Sequence, residues 1–197
     1  MMYRPMMKWL REQIATLGGR FETRFLCSIE DITDCDLVVN CTGLGAKEFV
    51  GDDSVYPVRG QVIRVYNPRI TRFTIIAHDD GTHTYLLPRL HGEVVVGGTV
   101  QPHNWNLANN SDDIKGIWER ACAAIPEMTE STILGEHCGL RPQRELGVRL
   151  EVDPRRSASG ALVVHNYGHS GSGHTLQWGC AMDVVRLATK HFLQSRM

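Results

Sequence analysis

The chain has 197 residues, a formal net charge of −1, and 42% hydrophobic against 22% charged residues. That is ordinary globular composition, enough for one domain or two small ones. It excludes the basic excess of a nucleic-acid or anionic-surface binder, and no apolar run approaches the roughly 20 residues of a membrane helix, so neither nucleic acid nor membrane is an expected partner.

Met7 to Leu17 places Met7, Leu10, Ile14 and Leu17 on one helical face, and Gly18-Gly19 stops the helix. Arg20 to Leu26 reads as a short strand. Asp36 to Asn40 reads as a second strand, apolar enough for a buried parallel sheet, and runs into the small-residue turn Cys41-Thr42-Gly43-Leu44-Gly45. In such sheets ligands bind at the carboxyl ends of the strands. From Val55 the pattern changes. Val58 to Tyr66, Thr71 to Ala77, Thr84 to Leu87 and Glu93 to Val100 alternate between turn residues, which predicts a mostly antiparallel sheet. Ser111 is the expected cap of a helix over 112–125, with Ile114, Ile117, Trp118 and Ala121 inward and Pro126 as its stop. Thr132 to Arg141 and Val148 to Val152 read as further strands, and Asp52-Asp53 and Asp79-Asp80 as solvated turn carboxylates. The six cysteines form no C-x-x-C pair and read as reduced, mostly buried thiols.

The chain is organised around His165-Asn166-Tyr167-Gly168-His169-Ser170-Gly171-Ser172-Gly173-His174-Thr175. An apolar strand, Ala161 to Val164, precedes it. An amphipathic helix follows to about Leu193, with Leu176, Val184, Leu187, Ala188 and Phe192 near helical spacing. Glycines at a strand-to-helix turn let backbone N–H groups approach a ligand, and a helix N-terminus favours negative charge. Arg141, in Gly139-Leu140-Arg141-Pro142, presents a planar fork suited to a carboxylate, the plainer alternative being a surface arginine. Tyr85 offers a phenolic donor, or is simply a half-buried core tyrosine. His165, His169 and His174 raise a zinc alternative, but a turn from strand to helix does not place them on one face, and no metal is assigned.

Eight stretches, in order along the chain, resemble the FAD-dependent D-amino-acid oxidase family, which includes the D-aspartate oxidases. They are VVNCTGLGA (38–46), YPVRGQVIRV (56–65), TYLLP (84–88), VVGGT (95–99), NWN (104–106), GLRPQR (139–144), VRLE (148–151) and HNYGHSGSGHTLQWGCA (165–181). The resemblance implies an α/β (α+β) fold: a remnant of a parallel FAD-binding sheet plus a mostly antiparallel substrate-binding sheet with flanking helices. It assigns residues 1–54 and 139–197 to a partial FAD-binding domain and 55–138 to a substrate-binding domain. The substrate is then a D-amino acid, its carboxylate on Arg141 with the Tyr85 hydroxyl assisting, its amine facing the Gly171 carbonyl, and its α-hydrogen leaving toward the flavin. Molecular oxygen is the second substrate. The products are a 2-oxo acid, ammonia and hydrogen peroxide. For the cofactor the resemblance assigns Ser170, Gly171, Ser172, Gly173, His174 and Thr175 to the flavin's polar edge, with Thr42, Gly43 and Leu26 near its other end. Many relatives carry glycine at the Ser170 position, and serine is tolerable there unless φ is positive.

Two departures carry expectations of their own. The family opens with a strand, a Gly-x-Gly-x-x-Gly turn and a helix for the FAD diphosphate, and this sequence starts at what resembles the family's middle helix, roughly two fifths in. The resemblance therefore implies a fragment or short isoform, with weak or absent FAD binding and exposed apolar surface, and a non-catalytic fragment is the competing reading. The loop His78 to His83 is short and lacks the extra tyrosine of the neutral D-amino-acid oxidases, which leans to acidic substrates. Against that, Val100 stands where D-aspartate oxidases tend to carry arginine, leaving His78, His83 or Arg89 for an acidic side chain. A neutral substrate and a glycine- or sarcosine-oxidase reading stay open. Ser195-Arg196-Met197 resembles a C-terminal peroxisomal address, which implies the peroxisomal import receptor as partner and a peroxisomal matrix location, or the cytoplasm if the signal is not read.

Overall fold

The computed structural model describes residues 3–194, so the expected address at Ser195, Arg196 and Met197 lies outside the described residues. Two compact units are present. One comprises the residues up to Arg24, Arg59–Gln101 and Asn106–Gly139, the other Phe25–Val58, Pro102–Trp105 and the chain from Leu140 onward.

The second unit is built on the apolar runs that flank the two small-residue turns. Strand β1 (Leu37–Asn40) pairs in parallel with β9 (Leu162–Tyr167), and β8 (Arg149–Val152) pairs antiparallel on the other side of β9. Asn40 lies opposite His165, so both strands end at the same edge. Helix α4 (Gly173–Gln194) covers one face, where Leu162, Val164 and Val184 are buried with Leu37, Leu150 and Leu187 against them. Ile29 and Ile32 cover Val38 and Val163 on the other face. A short helix, α2 (Ala46–Phe49), follows the turn after β1 and packs Ala46 against Val55 and Tyr167. The outer side of α4 leaves Trp178, Met182 and Val185 exposed, and of the residues expected on its apolar stripe Leu176 and Phe192 are exposed as well.

The first unit contains the antiparallel sheet, in the order β3 (Thr74–Ala77), β4 (His83–Pro88), β5 (Glu93–Gly97), β2 (Val55–Tyr66), β6 (Gln101–Pro102), with β7 (Thr132–Arg144) also on β2. Boundaries of the units fall within β2, β6 and β7. Alternation sends Ile63, Val65, Leu86, Val94 and Val96 to one face, where Ile117 and Ala121 of α3 (Ser111–Ala124) seal them with Met128. Ile114 and Trp118 join that core, as the helical spacing predicts. Asn110 rather than Ser111 caps α3, its side chain accepting from the Asp112 and Asp113 N–H groups. Both are good caps, and Asn110 wins because its own backbone is still extended.

Helix α1 (Tyr3–Thr16) forms as expected, but its stripe is not buried: Met7, Ile14 and Leu17 are exposed. The strand expected over Arg20–Leu26 does not form. The segment is irregular with Phe21 and Phe25 exposed, since a lone extended segment without a ladder partner leaves its backbone groups to water.

Arg59 holds the first unit together in a way the sequence does not announce. Its side chain is 2% exposed and all three guanidinium nitrogens donate: Nε to the Asn106 carbonyl (2.8 Å), Nη1 to Gln101 and Asp113 (2.7 Å each), Nη2 to Gln61 (2.5 Å) and the Ala108 carbonyl (2.7 Å). The planar fork matches these five acceptors, and an ammonium has only three donors. Arg59→Lys is expected to cost about 2–3 kcal/mol by leaving buried acceptors unpaired, read as a lowered denaturation midpoint at unchanged slope.

Candidate active site

In the second unit a cleft of about 320 Å³ opens beyond the carboxyl ends of β1 and β9, lined among others by Cys41, Gly43, Pro142, Asn166, His169 and Gln177. Its position follows from the parallel pairing: two adjacent strands deliver their turns to one edge, and α4 starts there. Gly43 has φ +59°, and a methyl group on it would lie 3.7 Å from Pro142 Cβ, so the turn after β1 abuts β7 at Pro142.

Of the residues assigned by sequence, Gly43, Ser170, Gly173 and His174 line this cleft. Thr42, Gly171 and Ser172 lie beside them on the same turns and Thr175 at the start of α4, none of them lining it, and Leu26 sits in the irregular segment before the turn Ile29–Asp31. Arg141 is brought to Gly171: a methyl group there would lie 3.6 Å from Arg141 Cδ and 3.9 Å from Nε. Strand β7 carries Arg141 and runs on past Pro142 to Arg144, so Arg141 sits within the strand rather than at its end. Tyr85 is in the other unit, on β4 opposite Gly97 of β5 and Ile75 of β3. Its ring lies across Gly97 and Gly98. A methyl group on Gly97 would come within 2.1 Å of Tyr85 Cζ, so a glycine is required at that position for the ring to lie flat there.

The turn Ser170–Ser172 makes one demand the sequence flagged. Ser170 takes φ +49°, a left-handed conformation that costs a serine about 1–2 kcal/mol. Ser170→Gly is expected to stabilise the chain by roughly 0.5 kcal/mol, the released strain being partly offset by the flexibility glycine adds to the unfolded chain. Its thermal midpoint should rise, whereas Ser170→Val should lower it.

Several side chains the sequence left without a role appear here. Asn166 Oδ1 is buried and, among the described residues, has no hydrogen-bond donor, on a residue that lines the cleft. His169 Nε2 lies 3.4 Å from Cys180 Sγ, and burial pushes its pKa below the usual histidine range, keeping it neutral. His165 is fully buried between Asn40 (3.2 Å to Nδ1) and Asp153 (2.9 Å to Nε2), which takes up both its nitrogens. Among the described residues no three His, Cys, Asp or Glu side chains converge on a possible metal. Elsewhere, His78 bonds Thr84 (2.8 Å), while His83, Arg89 and Val100 are exposed.

Asp52 is not the solvated turn carboxylate its sequence suggests. Its side chain is 9% exposed and accepts from Ser54, Arg144 Nε (2.7 Å) and the Tyr167 hydroxyl (2.7 Å). That fixes the end of β9 under the glycine turn.

The parallel pair with its glycine turn and long helix, and the antiparallel sheet of the other unit, recur in solved structures of known proteins. A glycine oxidase from Geobacillus kaustophilus shares the fold with TM-score 0.67 at 24% identity, over 78% of this chain and 41% of that one. A glycine oxidase from Bacillus cereus does so with TM-score 0.65 over 78% and 42%. The chain belongs to the DAO family, described as FAD dependent oxidoreductase, which matches residues 3–187. A D-amino-acid oxidase of Streptomyces coelicolor is 41% identical over 182 residues, covering 92% of this chain and 55% of that protein. The D-aspartate oxidase of Homo sapiens is 37% identical over 187 residues, covering 92% and 52%. The chain thus spans about half the length of these relatives.

Proposed function

We propose that this chain carries the substrate-orienting part of an FAD-dependent oxidase of D-amino acids. The observation that supports this most directly is the contact of Arg141 with Gly171 at the turn that opens α4. The second unit would hold the flavin portion of FAD, with Gly43, Asn166 and the turn Ser170–Gly173 around it. The fit rests on two features. Asn166 Oδ1, without a donor among the described residues, suits a ligand that presents a hydroxyl or N–H, and the N-terminus of α4 favours the electron-rich edge of a ligand. When bound, FAD supplies acceptance of two electrons from the amino acid and their delivery to oxygen.

The protein's own part is orientation. Arg141 binds the carboxylate through its fork. The Gly171 carbonyl accepts from the amine N–H, and these two anchors leave the Cα–H as the third direction, set toward the acceptor. The family resemblance adds the Tyr85 hydroxyl as a further carboxylate donor. A neutral amine needs no strong general base. The products are the 2-oxo acid, ammonia and hydrogen peroxide.

We place the substrate preference slightly on the acidic side, on the short turn between β3 and β4 and the D-aspartate oxidase among the relatives. D-Aspartate against D-alanine turnover decides it, a higher kcat/KM for D-alanine overturning it. A peroxisomal address at Ser195-Arg196-Met197 would carry a peroxide-forming enzyme to a suitable compartment, and deletion of the three residues should disperse a fluorescent fusion. The functional reading as a whole is tested by adding FAD to the purified chain. Retention of a visible flavin band through gel filtration supports it. Complete loss of flavin favours a non-catalytic role for the chain by itself.

A further inference from the structure

Behind the cleft runs a buried line of polar groups. The Thr42 N–H and hydroxyl both donate to Asn40 Oδ1, at 3.1 and 2.8 Å. This orients the amide, so Asn40 Nδ2 faces His165 Nδ1 at 3.2 Å and donates to it. Nδ1 must then be the acceptor, and Nε2 carries the proton and donates to Asp153 Oδ2 at 2.9 Å. Asp153 is held in turn by the Arg155 N–H at 2.9 Å and lies 3.7 Å from Arg149 Nη2. Asn40, His165 and Asp153 are 1%, 0% and 7% exposed, so water cannot substitute for a missing partner.

We propose that His165 is a positioning residue for the cleft-lining turn Cys41–Gly43, acting through Asn40 and held in its neutral Nε2–H form by Asp153. The direction of every bond in the line is fixed by the one before it. Were Nδ1 protonated, its N–H would meet the Asn40 NH₂ donor to donor. Rotating the amide to cure that would withdraw Oδ1 from both Thr42 groups. Thr42 would lose its anchor, and with it the seat of Gly43 against Pro142, the residue next to Arg141. The other groups facing the imidazole are Glu151, opposite it on β8, the Arg149 guanidinium, and the Tyr167 ring, edge-on at 5.6 Å. Burial is the largest influence on the ring and pushes its pKa below the usual 6.5, with Arg149 adding to this and Asp153 and Glu151 opposing. The neutral form therefore persists at pH 7. The relay is a property of this unit alone, and only its link to catalysis rests on the function proposed above.

Imidazole nitrogen NMR and amide hydrogen exchange on the full chain test the relay in wild type, His165→Phe and Asn40→Asp. Wild type should show the neutral Nε2–H tautomer of His165. His165→Phe should lower the exchange protection of the Thr42 amide at least tenfold relative to that of Val164 in the same sheet. Asn40→Asp keeps an acceptor for Thr42, so protection should persist while His165 becomes doubly protonated at neutral pH between two carboxylates. An Nδ1–H tautomer in wild type, unchanged Thr42 protection in a folded His165→Phe, or a neutral ring in Asn40→Asp would each overturn the proposal. If His165→Phe does not fold, the tautomer and the Asn40→Asp ring decide. FAD titration separates this from the functional reading. Where wild type binds, His165→Phe should bind at least tenfold more weakly. If wild type binds no flavin while Thr42 responds as expected, the relay stands and the functional reading falls.

Discussion

On the function proposed above, replacing Arg141 by alanine is expected to lower kcat/KM for D-amino acids by two to three orders of magnitude in the flavin-loaded protein. The size follows from the cost of removing one partner of a desolvated ion pair, about 3–4 kcal/mol, at roughly 1.4 kcal/mol per tenfold. The division between the constants is informative. Carboxylate binding common to ground and transition states appears in KM, whereas misdirection of the Cα–H appears in kcat. Because Arg141 packs against Gly171, whose carbonyl is assigned the amine, a loss in both is expected. Arg141→Lys keeps the charge but loses the fork. It should recover part of the binding and little of the orientation. An Arg141→Ala protein with unaltered kinetics would remove the carboxylate anchor from the mechanism.

The fold was legible in the sequence where a strand's burial is local. Val38 and Leu162 to Val164 are buried by their own apolar character, although Val39 between Val38 and Asn40 stays exposed. Alternation about Ile63, Val65, Val94 and Val96 located the antiparallel sheet and its core face. Arg20 to Leu26 shows the limit, since the same β-prone composition stays irregular where no neighbour completes the ladder. The site was legible in its glycines and Arg141 because backbone approach and planar forks have sequence signatures. Its supports were not. Asp52 meets Tyr167 across 115 positions, Asn40 meets His165 across 125, and Arg59 meets Asp113 across 54, so none of these partnerships shows in local spacing. The warning about serine at position 170 could be stated from sequence, but only the backbone angle shows that it applies.

Asp52→Ala is expected to destabilise the chain by about 3–5 kcal/mol, the range for breaking a buried charge pair from one side. It strands the Arg144 guanidinium, 13% exposed, and leaves the Tyr167 hydroxyl, 2.9 Å from Arg149 Nη1, with no acceptor. Asp52→Asn keeps the shape and some hydrogen bonds, and about half of that loss is expected. The pH dependence separates this network from simple packing. Burial alone would raise the Asp52 pKa, but the hydrogen bonds from Ser54, Tyr167 and Arg144 outweigh it and hold the carboxyl well below its ordinary 3.8. A depressed folded-state pKa gives stability that is complete above the unfolded value and is lost as pH falls beneath it. Asp153 shifts in the same direction, with His165 and Arg155 as its donors overcoming burial, so wild type should weaken steeply below the carboxylate range. Denaturation midpoints at about pH 6 and about pH 3 should therefore show the wild type and Asp52→Ala curves drawing together, because acid protonates Asp52 in the unfolded chain while the folded carboxylate stays ionised. A gap between them that holds constant with pH would assign the loss to packing and leave Arg144 and Tyr167 satisfied by other means.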